Sequence, residues 1–407
     1  MKYSKYLPSR VGNVKWNMVV PVVISLIFLM ILWQQLVRRS SPDSSLLMRS
    51  IPQSYYVPTV ARDLRFPPAR SRAFRCSDAQ RVGQAATWRA LLDSQEVSVN
   101  CADSVYLGFV REFLQEQAPV LINVGANKGY GIMQWLIAFD GSFGFSLKDA
   151  YTMYESRFKG QPRLCGVCQD CEEVPRSLSL LSHSGVNSTA TLIRKPVIYA
   201  FEPAVNNSLV LKALKDMIQY PSVEIIRAAA SNVTGKMYFT NCAAGQETCR
   251  LVAGAGKGTT VIDATTIDRF LQTRNIQKVD ILKIDAEGYD PLVLQGAQSA
   301  LALHKIRVLE FEYHEIEQWG AWRRGSSSLE EVTAWLDDLG YDCYLESAMN
   351  KVTKTGATLQ FDLVRLTGCW DSRLEIRKWS NVACVLREEL EMSMMFFKAS
   401  RWLDLYI

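Results

Sequence analysis

The chain has 407 residues, of which 48% are hydrophobic and 21% are charged, a composition typical of a globular protein with one large or two ordinary domains. Its 46 basic and 41 acidic residues give a formal net charge of +5, and neither sign forms a long block. This balance gives no argument for a nucleic-acid-binding protein, and we expect no nucleic-acid partner.

The N-terminus contains an apolar stretch at residues 18–37, which Arg38 and Arg39 follow. A helix of about 20 such residues crosses the hydrocarbon of a bilayer. Basic residues precede the stretch, so the positive-inside rule places residues 1–17 in the cytosol. The sequence therefore predicts a single-pass type II membrane protein with a signal anchor. A cleaved signal peptide is the competing interpretation, but no small-residue cleavage site follows the stretch.

Residues 38–99 are interpreted as a stem and linker, because prolines, serines and arginines crowd their first part. In this topology the rest of the chain lies in the lumen of the secretory pathway. Three glycosylation acceptor triplets begin at Asn187, Asn206 and Asn232, and the ten cysteines suit an oxidising compartment.

Apolar runs recur along residues 100–390, and helix-compatible segments separate most of them. This alternation predicts an α/β domain with a parallel sheet covered by helices. Residues 341–345 and 359–366 are too close together for a crossover helix and predict an antiparallel hairpin at one sheet edge. A C-terminal helix is expected at 391–407. The other predicted strands are 120–124, 197–201, 223–229, 279–284 and 306–311.

Residues 140–195 form a connection longer than usual, which we expect to fold as an insertion over the functional site. It contains Cys165, Cys168 and Cys171 with the spacing of a metal or iron–sulfur site. No fourth ligand with matching spacing exists, so disulfides are preferred to zinc in a lumenal protein. The expected pairs are one cysteine of this cluster with Cys76 or Cys101, Cys242 with Cys249, and Cys369 with Cys384.

Two strand ends predict a nucleotide-like ligand. Residues 123–131 lead from a buried strand into a helix, and their glycines let the backbone approach a ligand closely. A tight strand-to-helix turn would explain the glycines equally well if they stood alone. Glu202 ends the next strand, a position from which a carboxylate binds both ribose hydroxyls of a nucleoside.

Charged residues crowd the end of the strand at 279–284, where Lys283, Asp285 and Glu287 alternate with apolar residues. Ligands of open α/β sheets bind beyond the carboxyl ends of the strands. Because burying charges without a partner is costly, this density indicates a functional site.

Four segments resemble the FkbM-type methyltransferase family in the family's order: residues 123–129, 201–203, 265–271 and 282–297. Together they cover most of residues 118–315. The resemblance implies a class I methyltransferase Rossmann-like fold, whose seven-stranded sheet is mostly parallel with one antiparallel strand. It also implies O-methylation with S-adenosyl-L-methionine as the cofactor.

The resemblance assigns the cofactor to the glycine turn and to two carboxylates. Glu202 would hold the ribose, and Asp285 would lie near the sulfonium. Asn123 departs from the pattern, because methyltransferases of this fold commonly have an acidic residue there; the amide keeps a hydrogen-bond acceptor but no charge. The expected cofactor-binding residues are Asn123, Gly125, Ala126, Asn127, Gly129, Glu202 and Asp285.

Methyl transfer to an alcohol requires alignment of donor and acceptor and a base that removes the hydroxyl proton. We expect His314 or Asp285 to be this base, and Lys283 and Glu287 to orient the substrate or partner side chains. For His314, a packed or surface histidine is the simpler alternative. The acidic residues could instead hold a divalent cation, which the sequence leaves open.

Together, these features predict an O-methyltransferase that acts on a sugar hydroxyl of glycans in the Golgi lumen. The alternatives are a methyltransferase of a lipid or small metabolite, and a catalytically inactive relative that binds a glycan or a partner.

Overall fold

The computed structural model describes residues 66, 75–100, 106–114, 118–161, 164–168, 170–171, 195–314, 319, 327–349 and 362–400. All of them belong to the compact unit from Val57 to Ile407. The predicted cytosolic tail, the anchor, most of the stem and Asn187 lie outside the described residues. Within these ranges no helix has the length and apolarity that crossing a bilayer requires.

The described chain contains thirteen strands and ten α-helices. The strands are β1 (Val97–Ser98), β2 (Val120–Val124), β3 (Val197–Phe201), β4 (Val223–Ile226), β5 (Ala229–Ala230), β6 (Gly235–Thr240), β7 (Leu251–Val252), β8 (Thr259–Thr265), β9 (Val279–Ile284), β10 (Ile306–Tyr313), β11 (Tyr341–Met349), β12 (Asp362–Arg365) and β13 (Ser380–Leu386). The helices are α1 (Asp78–Asp93), α2 (Tyr106–Phe113), α3 (Tyr130–Phe139), α4 (Leu147–Arg157), α5 (Val205–Ile218), α6 (Ile267–Thr273), α7 (Asp290–Gly296), α8 (Gln298–Ala302), α9 (Leu329–Asp338) and α10 (Leu390–Ser400).

The main sheet has nine strands in the order β1-β11-β13-β10-β9-β2-β3-β4, with β12 also paired to β11. The five strands from β10 to β4 run parallel to one another. This confirms the predicted mixed α/β fold with a large, mostly parallel sheet. β1 belongs to the segment interpreted as stem and linker, so the sheet includes residues that we had assigned to the linker.

The predicted hairpin exists, because β11 and β12 pair in antiparallel fashion at the sheet edge. The antiparallel strand inside the sheet is a different one. It is β13, which lies between β10 and β11 and runs antiparallel to both. β13 was not predicted, because no crossover helix separates it from β12 in the sequence.

Alternate residues of the central strands pack on opposite faces of the main sheet. Leu121 of β2 and Ile281 of β9 contribute to one core, and Ile122 and Leu282 to the other. Helices α2–α5 and α10 cover the first face, and α1 and α6–α9 cover the second. Burial on both faces explains why these strands are uninterrupted apolar runs in the sequence.

A second sheet was not predicted. Its four strands have the order β5-β8-β6-β7, and β8 pairs with β5 in parallel and with β6 in antiparallel fashion. The predicted strand at 223–229 is therefore divided between two sheets, because the backbone turns where Ala228 N–H donates to the Ile226 carbonyl. The second sheet has its own small core, in which Met237 and Phe239 pack against Leu292.

The disulfides confirm part of the cysteine prediction. Cys242 is bonded to Cys249, Cys165 is bonded to Cys171, and Cys168 is also in a disulfide. No described cysteine is a free thiol that could ligate zinc.

The prediction of a Cys369–Cys384 disulfide is wrong, and so is the expectation that Cys76 could join the insertion cluster. Cys384 faces Cys343 in register across β13 and β11, with 4.0 Å between the Cα atoms, and the two are bonded. Cys369 is bonded to Cys76. The N–H of Cys76 donates to the carbonyl of Gly368, the residue before Cys369.

Candidate active site

A cavity of ≈ 550 Å³ opens at the carboxyl ends of β2, β3, β9 and β10. Part of the insertion lines it, through Val167, Cys168 and Asp170, and so does the loop between β6 and β7. The cavity brings together every site residue that the sequence predicted: Asn123, Gly125, Ala126, Asn127, Gly129, Glu202, Lys283, Asp285, Glu287 and His314.

The turn between β2 and α3 is fixed to the two neighbouring strands. The N–H groups of Gly125 and Ala126 both donate to the Phe201 carbonyl, at 3.0 and 2.9 Å. Gly125 has φ +77°, and a β-carbon there would lie 1.8 Å from the Asp285 carbonyl oxygen. Only glycine fits this position, because both the dihedral angle and the space exclude a side chain.

Gly129 precedes α3, and a side chain there would meet a different neighbour from one at Gly125. Its φ is +88°, and an added β-carbon would lie 2.4 Å from a methyl group of Leu214 on α5. Gly129 therefore lets the start of α3 pack closely against α5 beside the cavity.

Glu202 is held by the same turn. One carboxylate oxygen accepts the N–H of Asn127, and the other accepts the N–H of Ala204, both at 2.8 Å. The residue is only 4% exposed. Burial raises the pKa of Glu202 to about 7, although the two N–H groups and Lys128 oppose the shift. Each carboxylate oxygen keeps a lone pair for a ligand hydroxyl.

Two buried amide oxygens line the cavity without a hydrogen-bond partner among the described residues. They are Oδ1 of Asn123 at the end of β2 and Oδ1 of Asn127 in the turn. Buried polar atoms in proteins nearly always have a partner, so these two acceptors indicate a ligand that carries donors.

Lys128 and Glu247 are functional candidates that the sequence analysis did not single out. The ammonium of Lys128 is buried, and it donates to Glu247 and to the Gly245 carbonyl. The other carboxylate oxygen of Glu247 accepts the N–H of Val167 at 3.2 Å. These contacts join the glycine turn to the loops closed by the Cys242–Cys249 and Cys165–Cys171 disulfides. The position of Lys128 inside the glycine-rich turn was the sequence feature that could have identified it as a site residue.

Lys283 lies 3.5 Å from Glu310, whose carboxylate also accepts the hydroxyl of Tyr106. Burial alone would lower the pKa of Lys283, but Glu310 and Asp285 outweigh it and raise the pKa. Lys283 is therefore protonated at neutral pH. This suits an orienting role and excludes one as a base.

Asp285 and Glu287 lie in an acidic environment that favours proton uptake. Burial raises the pKa of Asp285 well above its ordinary range, and Glu312 and Glu287 raise it further. Burial and Glu312 also raise the pKa of Glu287 to about 8. A carboxylate with a pKa near neutrality is suited to general-base chemistry.

His314 follows β10 and lies next to Glu312, with 3.0 Å between Nε2 and the nearer carboxylate oxygen. Burial acts to lower the pKa of His314, but Glu312, Asp290 and Glu287 raise it overall. Glu310 and Glu312 share one face of β10, and His314 continues the same alternation directly after the strand. The alternation of polar residues could have indicated all three as site residues, but only the histidine was predicted.

Residues 165–343, just under half of the chain, match the family model described as the Methyltransferase FkbM domain. The matched family is one of methyltransferases. The segment includes Glu202, Lys283, Asp285, Glu287 and His314, whereas the glycine turn precedes it.

No curated protein matches the chain. Among solved structures, it is similar to the crystal structure of Methyltransferase FkbM from Methylobacillus flagellatus KT, with 13% sequence identity and a TM-score of 0.36. The similarity covers 76% of this chain and 56% of that one, so this chain spans little more than half of that protein.

Proposed function

We propose that this protein is an S-adenosylmethionine-dependent methyltransferase that methylates a hydroxyl group. The observation that carries the proposal is the contact between Gly125 and the backbone of Asp285. Together with the hydrogen bond from Asn127 to Glu202, this contact brings the glycine turn, Glu202 and the acidic end of β9 to one cavity.

The cavity residues fit the proposed cofactor. Glu202 keeps acceptor capacity for ribose hydroxyls, and the partnerless oxygens of Asn123 and Asn127 can accept the donors of an amino-acid group. Gly125 and Ala126 line the cavity, and Ala126 adds only a methyl group to its wall. When bound, S-adenosylmethionine supplies an electrophilic methyl group on a sulfonium.

The chain's own residues then have to align the acceptor and accept its proton. Asp285 and His314 are the proposed bases, because both line the cavity and each carries an atom that can accept a proton. Lys283 is protonated, and we assign it to orient the acceptor or neighbouring carboxylates. A base that removes the proton of the acceptor hydroxyl, as proposed for Asp285 or His314, contributes about 100-fold or more to the rate.

We propose a sugar hydroxyl as the acceptor and the Golgi lumen as the location. Carboxylates and Asn381 line the acidic end of the cavity and can bind hydroxyl groups, and the indole of Trp379 offers an apolar surface for a sugar ring. The lumenal location is supported by the apolar stretch at 18–37 and by the disulfide bonding of the described cysteines.

The test compares glycans released from cells that lack the gene with glycans from cells rescued by wild type or by Asp285→Asn. We expect methyl-sized mass increments to vanish without the gene, to return with wild type and to stay absent with the variant. Unchanged glycans would contradict the sugar acceptor. Label from methyl-labelled S-adenosylmethionine in a lipid or metabolite fraction would then identify the other acceptor class.

A further inference from the structure

Three potential metal ligands meet at the acidic end of the cavity. They are Glu287, from the turn after β9, and Glu312 and His314, from the end of β10. One ligand atom from each side chain lies within 4.8 Å of the other two. All three residues also line the cavity, so an ion at this position would be reachable from it.

Glu312 and His314 form an ion pair that contains two of the potential ligand atoms. The Glu312 side chain is 9% exposed, and its Oε2 lies 3.0 Å from Nε2 of His314. Neither atom has a further polar partner in the described part of the chain. The carboxylate oxygen has a lone pair for an ion, and the imidazole nitrogen offers one in its neutral form.

The surrounding charge also favours a cation. Asp290 is fully buried behind the cluster, where its Oδ1 accepts the N–H of Glu312 at 3.2 Å. Asp285 adds a further carboxylate, whereas the ammonium of Lys283 is directed to Glu310. Buried carboxylates of this number require compensation, either by protons or by a metal ion.

We propose that Glu287, Glu312 and His314 bind one divalent transition-metal cation of the Mn²⁺ or Zn²⁺ type. Two ligand atoms that are each about 2.1 Å from an ion lie about 3 Å apart at octahedral angles, which agrees with the Glu312–His314 contact. The imidazole ligand favours Zn²⁺ over Mg²⁺ and Ca²⁺, and the two carboxylates also suit Mn²⁺. A rotation of the Glu287 side chain would complete the set.

Three protein ligands leave coordination positions open on the side of the cavity. A hydroxyl oxygen bound there would lose its proton more readily, because the cation stabilises the alkoxide. His314 would then be a ligand, and Asp285 would be the base. This role in activating the acceptor rests on the proposed function, whereas cation binding itself does not.

The test titrates metal-freed, full-length protein in detergent with Mn²⁺, and the bound ion is followed by electron paramagnetic resonance. Zn²⁺ is added as a competitor. We expect one Mn²⁺ or Zn²⁺ per chain, and a loss of affinity of about tenfold or more in His314→Ala, Glu287→Gln and Glu312→Gln. Circular dichroism checks that each variant is folded. Glu287→Gln tests the site without changing the buried Glu312–His314 pair.

His304→Ala is the matched control. His304 precedes β10, so it lies roughly 30 Å from His314 at the opposite end of the strand. Its ring contacts Glu388 and the Leu339 carbonyl. We expect this variant to bind the metal like wild type. The proposal is overturned if wild type binds neither ion stoichiometrically, or if folded His314→Ala and Glu287→Gln bind as tightly as wild type.

The same preparations are titrated with S-adenosylhomocysteine in the presence of a chelator. If the protein binds S-adenosylhomocysteine but bound no metal in the Mn²⁺ and Zn²⁺ titrations, the metal site is contradicted and the proposed function is not. Metal binding that is lost in the variants, together with no S-adenosylhomocysteine binding, would support the metal site and contradict the proposed function.

Discussion

Gly125 is the residue at which the site depends most directly on backbone geometry. An alanine there would place its methyl group 1.8 Å from the Asp285 carbonyl oxygen, at a φ of +77° that disfavours a side chain. We expect Gly125→Ala to lose at least about 2 kcal/mol of stability and to abolish cofactor binding. Urea denaturation and ligand titration measure the two effects.

Gly144→Ala is the control for this substitution. Gly144 has no atom within 4 Å of an added β-carbon, and its φ is not in the left-handed region. Its replacement should leave both stability and binding close to wild type. If Gly125→Ala behaved like Gly144→Ala, the close approach of the turn to β9 would be wrong.

Glu202 gives the protein a pH dependence with a defined sign. Its ordinary pKa is 4.5, and burial raises it to about 7 in the folded state. Between these values the folded state binds more protons than the unfolded state, so the free energy of unfolding falls as pH rises from about 4.5 to about 7. The full shift is worth on the order of 3 kcal/mol.

Glu202→Gln does not titrate, so we expect it to lose less stability than wild type over this pH range. Denaturation at about pH 5 and about pH 8 compares the two proteins. Glu391→Gln, at an exposed position in α10, should keep the wild-type slope. Equal slopes for wild type and Glu202→Gln would contradict the assigned burial of this carboxylate.

At the residue scale, the sequence located the cavity lining but not its contacts. Strand ends with glycines and carboxylates were recognisable, because parallel strands deliver their carboxyl ends to one edge of the sheet. The Lys128–Glu247 pair joins residues far apart in the chain, so no local pattern could predict it. Glu312 alternates with His314, yet its role depends on the turn after β9 and therefore on tertiary packing.

The loop between β6 and β7 is the element that ties the second sheet to the glycine turn. Its Gln246 carbonyl accepts amide N–H groups from Asn127 and Asn207, at 3.3 and 3.0 Å. The Cys242–Cys249 disulfide closes this loop. We therefore expect the loop to hold Asn127 and Lys128 in position for the ligand.

Replacing Cys242 and Cys249 together by serine should weaken cofactor binding by roughly tenfold or more, because ordering even one loop residue costs about 1–2 kcal/mol.

The control replaces Cys343 and Cys384, which join β11 to β13. This change should lower the free energy of unfolding by about 4 kcal/mol and leave the cofactor affinity unchanged. Calorimetric titration and urea denaturation separate these effects. Equal affinity in wild type and the Cys242/Cys249 variant would contradict the loop's positioning role.

Element prediction succeeded where burial imposed a simple pattern. β2, β3, β9 and β10 are apolar runs buried in the centre of the sheet, and their predicted bounds are close to the observed ones. β13 was missed, because it pairs with β10 and β11 across long sequence separations without the helix that marks a parallel crossover. The second sheet was missed for a different reason. β5 and β7 have two residues each and carry no recognisable period.

At the scale of the whole molecule, the topology of the chain stays a prediction. With an anchor at 18–37, the remainder of the chain would be lumenal and protected from protease in sealed microsomes. We expect glycosidase treatment to increase the electrophoretic mobility of full-length protein, and substitution of Asn187, Asn206 and Asn232 by glutamine to remove this change. Digestion of the catalytic domain by protease added to intact microsomes would contradict the lumenal location.

The proposed function requires that the glycine turn, Glu202 and Asp285 together bind an adenosyl cofactor. Calorimetric titration of full-length protein in detergent with S-adenosylmethionine and S-adenosylhomocysteine tests it most directly. We predict saturable binding at one site per chain in wild type and in Gly144→Ala, and none in Gly125→Ala. Folded wild-type protein that takes up neither compound, or a Gly125→Ala variant that binds as well as wild type, would contradict the claim.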